Sequence, residues 1–161
     1  ATISPGDATD GPFGAALAAS DDGSTLLVGA GSADPESSTA GSAAVYADAD
    51  SEWTRRDRVT DPESRAGFGA AVDLSGDGSR AAVAVPAATA DAAAPFGPVV
   101  AVERDGESWG RRAELRPVDA DGDRRFGTAV ALDGDGSTTL VGATSDGDID
   151  GAESGTVYVF E

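Results

Sequence analysis

Residues 126–143 read FGTAVALDGDGSTTLVGA, with Phe126, Thr128, Val130 and Leu132 alternating with small or polar neighbours. That period of two is the signature of a strand with one buried face. DGDG at 133–136 follows, and Asp and Gly are the residues that tolerate the positive φ of a tight hairpin. TTLVGA at 138–143 reads as a short, continuously buried strand, 144–154 as a long polar loop, and GTVYVF at 155–160 as a third strand. The same phrase stands at 68–85 (FGAAVDLSGDGSRAAVAV) and at 13–30 (FGAALAASDDGSTLLVGA), without a gap. The copies start 55 and 58 residues apart.

In the first two copies the pattern runs one step further. WTRRDRV at 53–59 and WGRRAEL at 109–115 are fourth strands, with Trp53 seven residues after Tyr46 and Trp109 seven after Val102. Helical periodicity is absent. Repeats of this length that hold four short antiparallel strands predict an all-β chain built as a β-propeller, with three four-stranded blades forming a single domain over 1–161. The blades span approximately 13–59, 68–115 and 126–160, the last completed by residues 1–3. The small residues of GAAL, GAAV and GTAV suit innermost strands crowded near an axis.

The N-terminal strand is assigned to the last blade by alignment. ATISPGDATDGPFG at 1–14 parallels AELRPVDADGDRRFG at 113–127, so Ala1 matches Ala113, Ile3 matches Leu115 and Pro5 matches Pro117. The chain then holds three blades' worth of strands, offset by one. Three twisted sheets do not readily surround an axis, and an open arc exposes blade faces and a bare edge. A homodimer that closes a six-bladed ring under a two-fold axis is the expectation, each chain lending Ala1–Ile3 to the other. A segment of a longer propeller is the rival.

Composition changes the picture in one respect. Eleven basic against 29 acidic residues give a net charge of −18, every basic residue is Arg, and 21 of the acids are Asp. Of the 40% hydrophobic residues, 32 are Ala, so the few larger apolar side chains must be placed efficiently. Such acidity resembles that of salt-loving archaea. At molar salt the Debye length is about 3 Å and a crowded acidic surface repels itself weakly, whereas at low salt it strains the compact state. No apolar run approaches a membrane span of about 18 residues, so no membrane insertion is expected. The absence of Cys excludes a disulfide scaffold, and a start at Ala1 suits a processed or excised product.

The repeats resemble the FG-GAP family, which builds the propeller of integrin alpha chains and of many microbial surface proteins. Phe13-Gly14, Phe68-Gly69 and Phe126-Gly127 match the FG; Val28-Gly29-Ala30 and Val141-Gly142-Ala143 match the GA, neither followed by Pro. The second copy departs, reading Val83-Ala84-Val85-Pro86. The resemblance implies a propeller, an extracellular or cell-surface setting, and binding rather than catalysis. It also implies calcium in a D-x-D-x-D-G-x-x-D turn, but here Asp133 and Asp135 are flanked by Ala131 and by Thr138 and Thr139, and the second copy keeps only Asp77 beside Ser75. These turns are read as plain hairpins. A better Ca²⁺ candidate is DGDIDGAE, with Asp146, Asp148 and Asp150 at alternate positions, Gly151 at a bend and Glu153 beyond. It resembles the first half of an EF-hand loop, with Val157 where that loop ends in Glu. The competing reading is a solvated acidic loop.

The missing residue types exclude much chemistry. Without His there is no Ser-His-Asp triad, without Cys no thiol nucleophile, and without Lys no phosphate-loop motif or Schiff base. GESWG at 106–110 matches a nucleophile motif by letter alone, since no His can serve Ser108. Paired carboxylates leave a glycoside hydrolase formally open. Nucleic acid would be repelled by the net charge, which the Arg pairs at 55–56, 111–112 and 124–125 do not reverse. The chain is therefore expected to be a non-catalytic binding or adhesion module, outside the cell of a halophilic archaeon, with a protein or glycan ligand. The loops 31–40, 86–96 and 144–154 leave equivalent points of each blade and so share one face. The alternative is a lectin-like propeller stacking sugars on Trp53 and Trp109, though recurrence at the repeat period favours a structural role for both.

Overall fold

The structure is a computed structural model of the chain. It describes residues 1–5, 12–31, 40–63, 67–85, 97–117, 123–146 and 154–161. Among the described residues eleven strands form three antiparallel sheets. The first holds β1 (Ala16–Ala19), β2 (Thr25–Gly29), β3 (Ser42–Ala49) and β4 (Glu52–Thr60) in that order. The second holds β5 (Val72–Leu74), β6 (Arg80–Ala84), β7 (Val99–Asp105) and β8 (Ser108–Leu115). The third holds β9 (Asp123–Leu132), β10 (Thr139–Asp146) and β11 (Ser154–Phe160), and has three strands. Each sheet is one repeat, running in sequence order from an inner to an outer strand. Among the described residues there is no helix long and apolar enough to cross a membrane.

The sheets stack face to face, and the strand period decides which residues meet. On blade 1, Leu27, Ala43, Val45 and Val59 turn to blade 2, where they meet Phe68, Val72, Leu74, Val83, Val85, Val100, Val102 and Trp109 in one buried cluster. The other face of blade 2 (Ala82, Ala84, Val99, Leu115) packs on Phe126, Val130, Val141, Tyr158 and Phe160 of blade 3. Every blade therefore presents a front bearing its FG phenylalanine and a back. Front always packs on the back of the blade before it. Phe126 lies edge-on to Tyr158 and Phe160, with ring centroids 5.4 and 6.1 Å away, which fills a seam otherwise built from Ala and Val.

Two details depart from the expected boundaries. The FG phenylalanines do not open the inner strands of blades 1 and 2; those begin at Ala16 and Val72. The FG glycines Gly14, Gly69 and Gly127 sit at φ between 84° and 91°, a conformation natural to Gly, and kink the chain just before the strand. In blade 3, β9 and β10 continue past that kink through a bulge, so that Ser145 pairs with Arg124 and Asp146 with Asp123. β10 thus runs through Asp146, where a polar loop is expected from 144. As for the last blade, Ala1–Pro5 form no strand within the chain and lie on blade 1, with the Tyr46 hydroxyl and the Arg55 guanidinium donating to the carbonyls of Ser4 and Pro5.

Candidate functional site

Two ends of the arc differ in kind. At one end the hairpins joining the inner strands, at 20–24, 75–79 and 133–137, stack beside one another. Each closes through the same bond, from the N–H of Gly23, Gly78 or Gly136 to the carbonyl of Ser20, Ser75 or Asp133. Each of these glycines has φ of 66–68°, as a type I turn with a following bulge requires. The hairpin reading of these turns therefore holds. The turns are also linked across blades: Asp21 N–H donates to the Gly76 carbonyl at 2.9 Å, and Gly76 N–H donates to the Gly134 carbonyl at 2.8 Å. A Cβ on Gly76 would crowd the exposed Asp21 carboxyl and come within 3.1 Å of the Gly134 carbonyl, so a larger residue would displace the Asp21 side chain.

The acids in these turns serve their own loops. The Ser20 hydroxyl donates to Asp22 at 2.7 Å and accepts the Thr25 N–H at 3.0 Å, while Ser24 gives Asp22 both its N–H and its hydroxyl. Ser75, Asp77 and Ser79 repeat the arrangement. These donors, the Ser20 and Ser75 hydroxyls first, hold the Asp22 and Asp77 carboxyls down to about 2. In the third turn Asp133 stands where the others have Ser; it accepts the Thr138 N–H and the Ser137 hydroxyl, and its pKa is lowered, chiefly by the Thr138 N–H.

At the opposite end, β2, β6 and β10 terminate in the long connectors. Of the calcium candidates, only Asp146 is described, as backbone at the end of β10, paired with Asp123 and Ser154. Asp148, Asp150 and Glu153 lie outside the described residues, as do most of the connectors 31–40 and 86–96. Among the described residues no three acids are grouped to hold a metal ion.

The aromatic candidates are placed by packing. Trp109 is buried in the seam between blades 1 and 2, and its backbone N–H donates to Asp57 of blade 1 at 2.6 Å. Trp53 is half-buried against the cluster of Val28, Ala44 and Tyr46 on the front of blade 1. Ser108 opens β8 after a hairpin with Gly106 at φ 65°, not a strand-to-helix elbow. Of the Arg pairs, Arg111–Arg112 ties outer strands together: Arg111 bridges Asp61 and Glu114, and Arg112 meets Glu103 at 3.1 Å. Glu103, Arg104, Asp105, Gly110, Arg111 and Arg112 line an open depression of about 710 Å³ on the outer hairpin of blade 2. Its lining is charged and mutually paired, unlike the apolar floor of a small-molecule cleft.

Sequence reasoning missed the role of the GA glycines. A Cβ on Gly29 would lie 2.1 Å from the carbonyl oxygen of Gly69, and one on Gly31 2.3 Å from the Ala70 nitrogen. In blade 1, Gly29 and Gly31 make room for the FG turn of blade 2, whereas blade 2 carries Ala84 at the position of Gly29, against which a Cβ on Gly127 would rest at 3.4 Å.

Residues 109–160 match the family described as FG-GAP repeat, which covers the outer strand of blade 2 and all of blade 3. No curated protein matches the chain. Among solved structures, the chain is similar to the Pseudomonas aeruginosa periplasmic gluconolactonase PpgL (TM-score 0.57, 19% identity, 89% of this chain and 38% of that one). It is also similar to Kuenenia stuttgartiensis hydrazine synthase (0.55, 16%, 91% and 33%) and to Saccharomyces cerevisiae Sqt1 (0.52, 12%, 86% and 31%). At these identities the likeness is one of fold, and the chain spans about a third of the length of each. Sheets, seams and the likeness to solved structures define a β-propeller-like fold, and its last third matches the FG-GAP repeat.

Proposed function

We propose that the chain is a non-catalytic binding and adhesion module that works outside the cell of a salt-loving organism, with the connectors 31–40, 86–96 and 144–154 as its recognition surface. The observation that carries this reading is the asymmetry of the two ends. One is consumed by short, near-identical turns bonded to each other. At the other, three strands end in long connectors of unlike sequence, and a repeated scaffold with variable loops is how binding faces arise. A protein ligand is favoured over a glycan, because Trp109 is buried and Trp53 half-buried, so neither offers a sugar a free ring face. Ca²⁺ held by Asp146, Asp148, Asp150 and Glu153 would order the third connector. The absence of His, Cys and Lys removes most nucleophile and base chemistry.

Beads coated with the full chain should adhere to haloarchaeal cell envelopes in molar salt. Replacing 86–96 or 144–154 by a Gly-Ser segment of equal length should abolish adhesion, and EDTA should weaken it through the third connector. A glycan array and a panel of chromogenic glycosides and lactones should stay blank. Adhesion indifferent to every connector exchange would overturn the reading, and turnover on the panel would replace it with an enzyme.

A further inference from the structure

Both flanks of the arc are unfinished, and they are complementary. The front of blade 1 carries Phe13, Leu17, Leu26, Val28 and Tyr46, the positions that in blades 2 and 3 press on a neighbour's back. Leu17 is 69% exposed there, whereas its counterpart Val72 is buried. The back of blade 3 carries two cross-strand rows, Ala131–Leu140–Val159 and Ala129–Gly142–Val157. Val157 and Val159 are 64% and 60% exposed, although the counterpart of Val157 in blade 2, Val99, is fully buried. Beside this face, β11 is the edge of a three-stranded sheet.

The N-terminal segment shows what belongs on the front of blade 1. Val59, near the end of the outer strand of blade 1, packs in the Phe68 cluster; Leu115, ending that of blade 2, packs against Phe126. Ile3 packs in the same way in the cluster of Val28, Ala44 and Tyr46, beside Phe13. Two residues beyond Val59, Asp61 receives Arg111; two residues beyond Ile3, the Pro5 carbonyl receives Arg55, the counterpart of Arg111. Ala1–Pro5 therefore already sit where the outer strand of a preceding blade ends, and no other strand of such a blade is found among the described residues. The turn ladder is open in the same sense, ending in an Asp21 carbonyl on one side and a Gly134 N–H on the other.

We propose that the missing blade is blade 3 of a second copy of this chain, so that two chains close one six-bladed ring under a two-fold axis. In each of its two identical seams the Leu17 face of one copy packs on the Val157–Val159 face of the other. Ala1–Ile3 pair with the partner's β11 as its fourth strand. The registers of the intact blades, Ala43 with Val59 and Val99 with Leu115, fix that pairing as Val157 opposite Ile3 and Val159 opposite Ala1. The Gly134 N–H then donates to the partner's Asp21 carbonyl and completes the ladder. A second copy is preferred over an unrelated partner because both faces follow the chain's own front-to-back rule. Closure of two copies also leaves no apolar face or sheet edge bare.

Light scattering on the full chain in molar salt should give twice the chain mass. Val157→Asp, on an exposed position, should give the single-chain mass with the same circular dichroism, and Leu17→Asp should do likewise. The chain lacks Cys, so the double variant Ala1→Cys/Val159→Cys should oxidise to a covalently linked dimer, while either single variant should not. A single-chain mass for the unaltered protein overturns the proposal. So does an internal disulfide in a monomeric double variant, which would mean the chain closes on itself, and so does a mass above two chains.

Discussion

Blade 2 and blade 3 share a strand grammar but not an environment. In blade 2 both faces are covered: Val83, Val85, Val100 and Val102 meet blade 1, while Ala82, Ala84 and Val99 meet blade 3. In blade 3 only the Phe126 face is covered, and the valines of β11 that point the other way stand in solvent. Blade 1 shows the mirror case, closed at Leu27 and Val45 and open at Leu17. Local sequence decides which residues alternate to which face. Burial depends on whether another blade supplies the opposite face. An apolar residue repeated at an exposed site is then information about a missing neighbour rather than a random surface Val.

The strongest way to break this comparison is to remove the same aromatic from each copy. Phe68 and Phe126 are buried in seams, whereas Phe13 lies half-buried on the open front of blade 1. Phe68→Ala and Phe126→Ala should each cost about 3–5 kcal/mol, the range for deleting a buried phenyl ring. Phe13→Ala should cost clearly less in dilute protein. Denaturant melts at several concentrations decide. Equal losses at all three positions would mean the fronts are equally buried, and a Phe13→Ala loss that grows with concentration would report the seam between chains.

A smaller effect separates the glycines of the two GA dipeptides. Gly29 faces the FG turn of blade 2, so Gly29→Ala drives a methyl into the Gly69 carbonyl, and overpacking of that kind costs about 1–3 kcal/mol. Gly142 holds the same place in blade 3, but a Cβ there meets only ordinary contacts, the nearest being Ala129 at 3.6 Å. In dilute, single-chain protein Gly142→Ala should fall within about 0.5 kcal/mol of the parent, whereas in the closed ring it meets the partner's FG turn and should cost as much as Gly29→Ala. Equal melting temperatures for the two variants in dilute, single-chain protein would remove close backbone approach as the reason for the motif.

The blades were legible because period-two alternation and Gly-Asp turns are local, and each copy was read three times over. The alignment of Ala1–Ile3 with an outer strand predicts a strand in the last blade, whereas within the chain these residues form no strand and Ile3 packs on blade 1. Contacts between copies of the motif were not. Nothing in FGAAV tells that Gly69 approaches Gly29, or that Gly76 bridges Asp21 and Gly134, because these depend on how sheets stack. The polar residues at 123–124 and 144–146 suggest loop, whereas backbone pairing through a bulge extends β9 and β10 to Asp123 and Asp146 regardless of composition. The recurrence of the Trp residues points to a structural role, and packing places both against apolar neighbours. The calcium candidates Asp148, Asp150 and Glu153 fall outside the described residues.

The finest comparison lies among the three turns. Asp22 and Asp77 each accept a Ser hydroxyl from two residues back, and both have folded pKa values near 2, below the ordinary carboxylate value of about 3.9. A depressed folded value means the charged form is the one the turn favours. The contribution is then fully present above the unfolded value and is lost as pH falls from about 4 through about 2. Carboxyl NMR titration should show both midpoints near the bottom of that window. Ser20→Ala removes the hydroxyl that lowers Asp22 most, so the Asp22 midpoint should rise toward the ordinary value while Asp77, held by Ser75, stays put. The third turn has no such Ser, since Asp133 fills its place. An Asp22 midpoint unmoved by Ser20→Ala would show that the Ser24 N–H and hydroxyl alone set its charge, and would remove the first serine of the turn from that role.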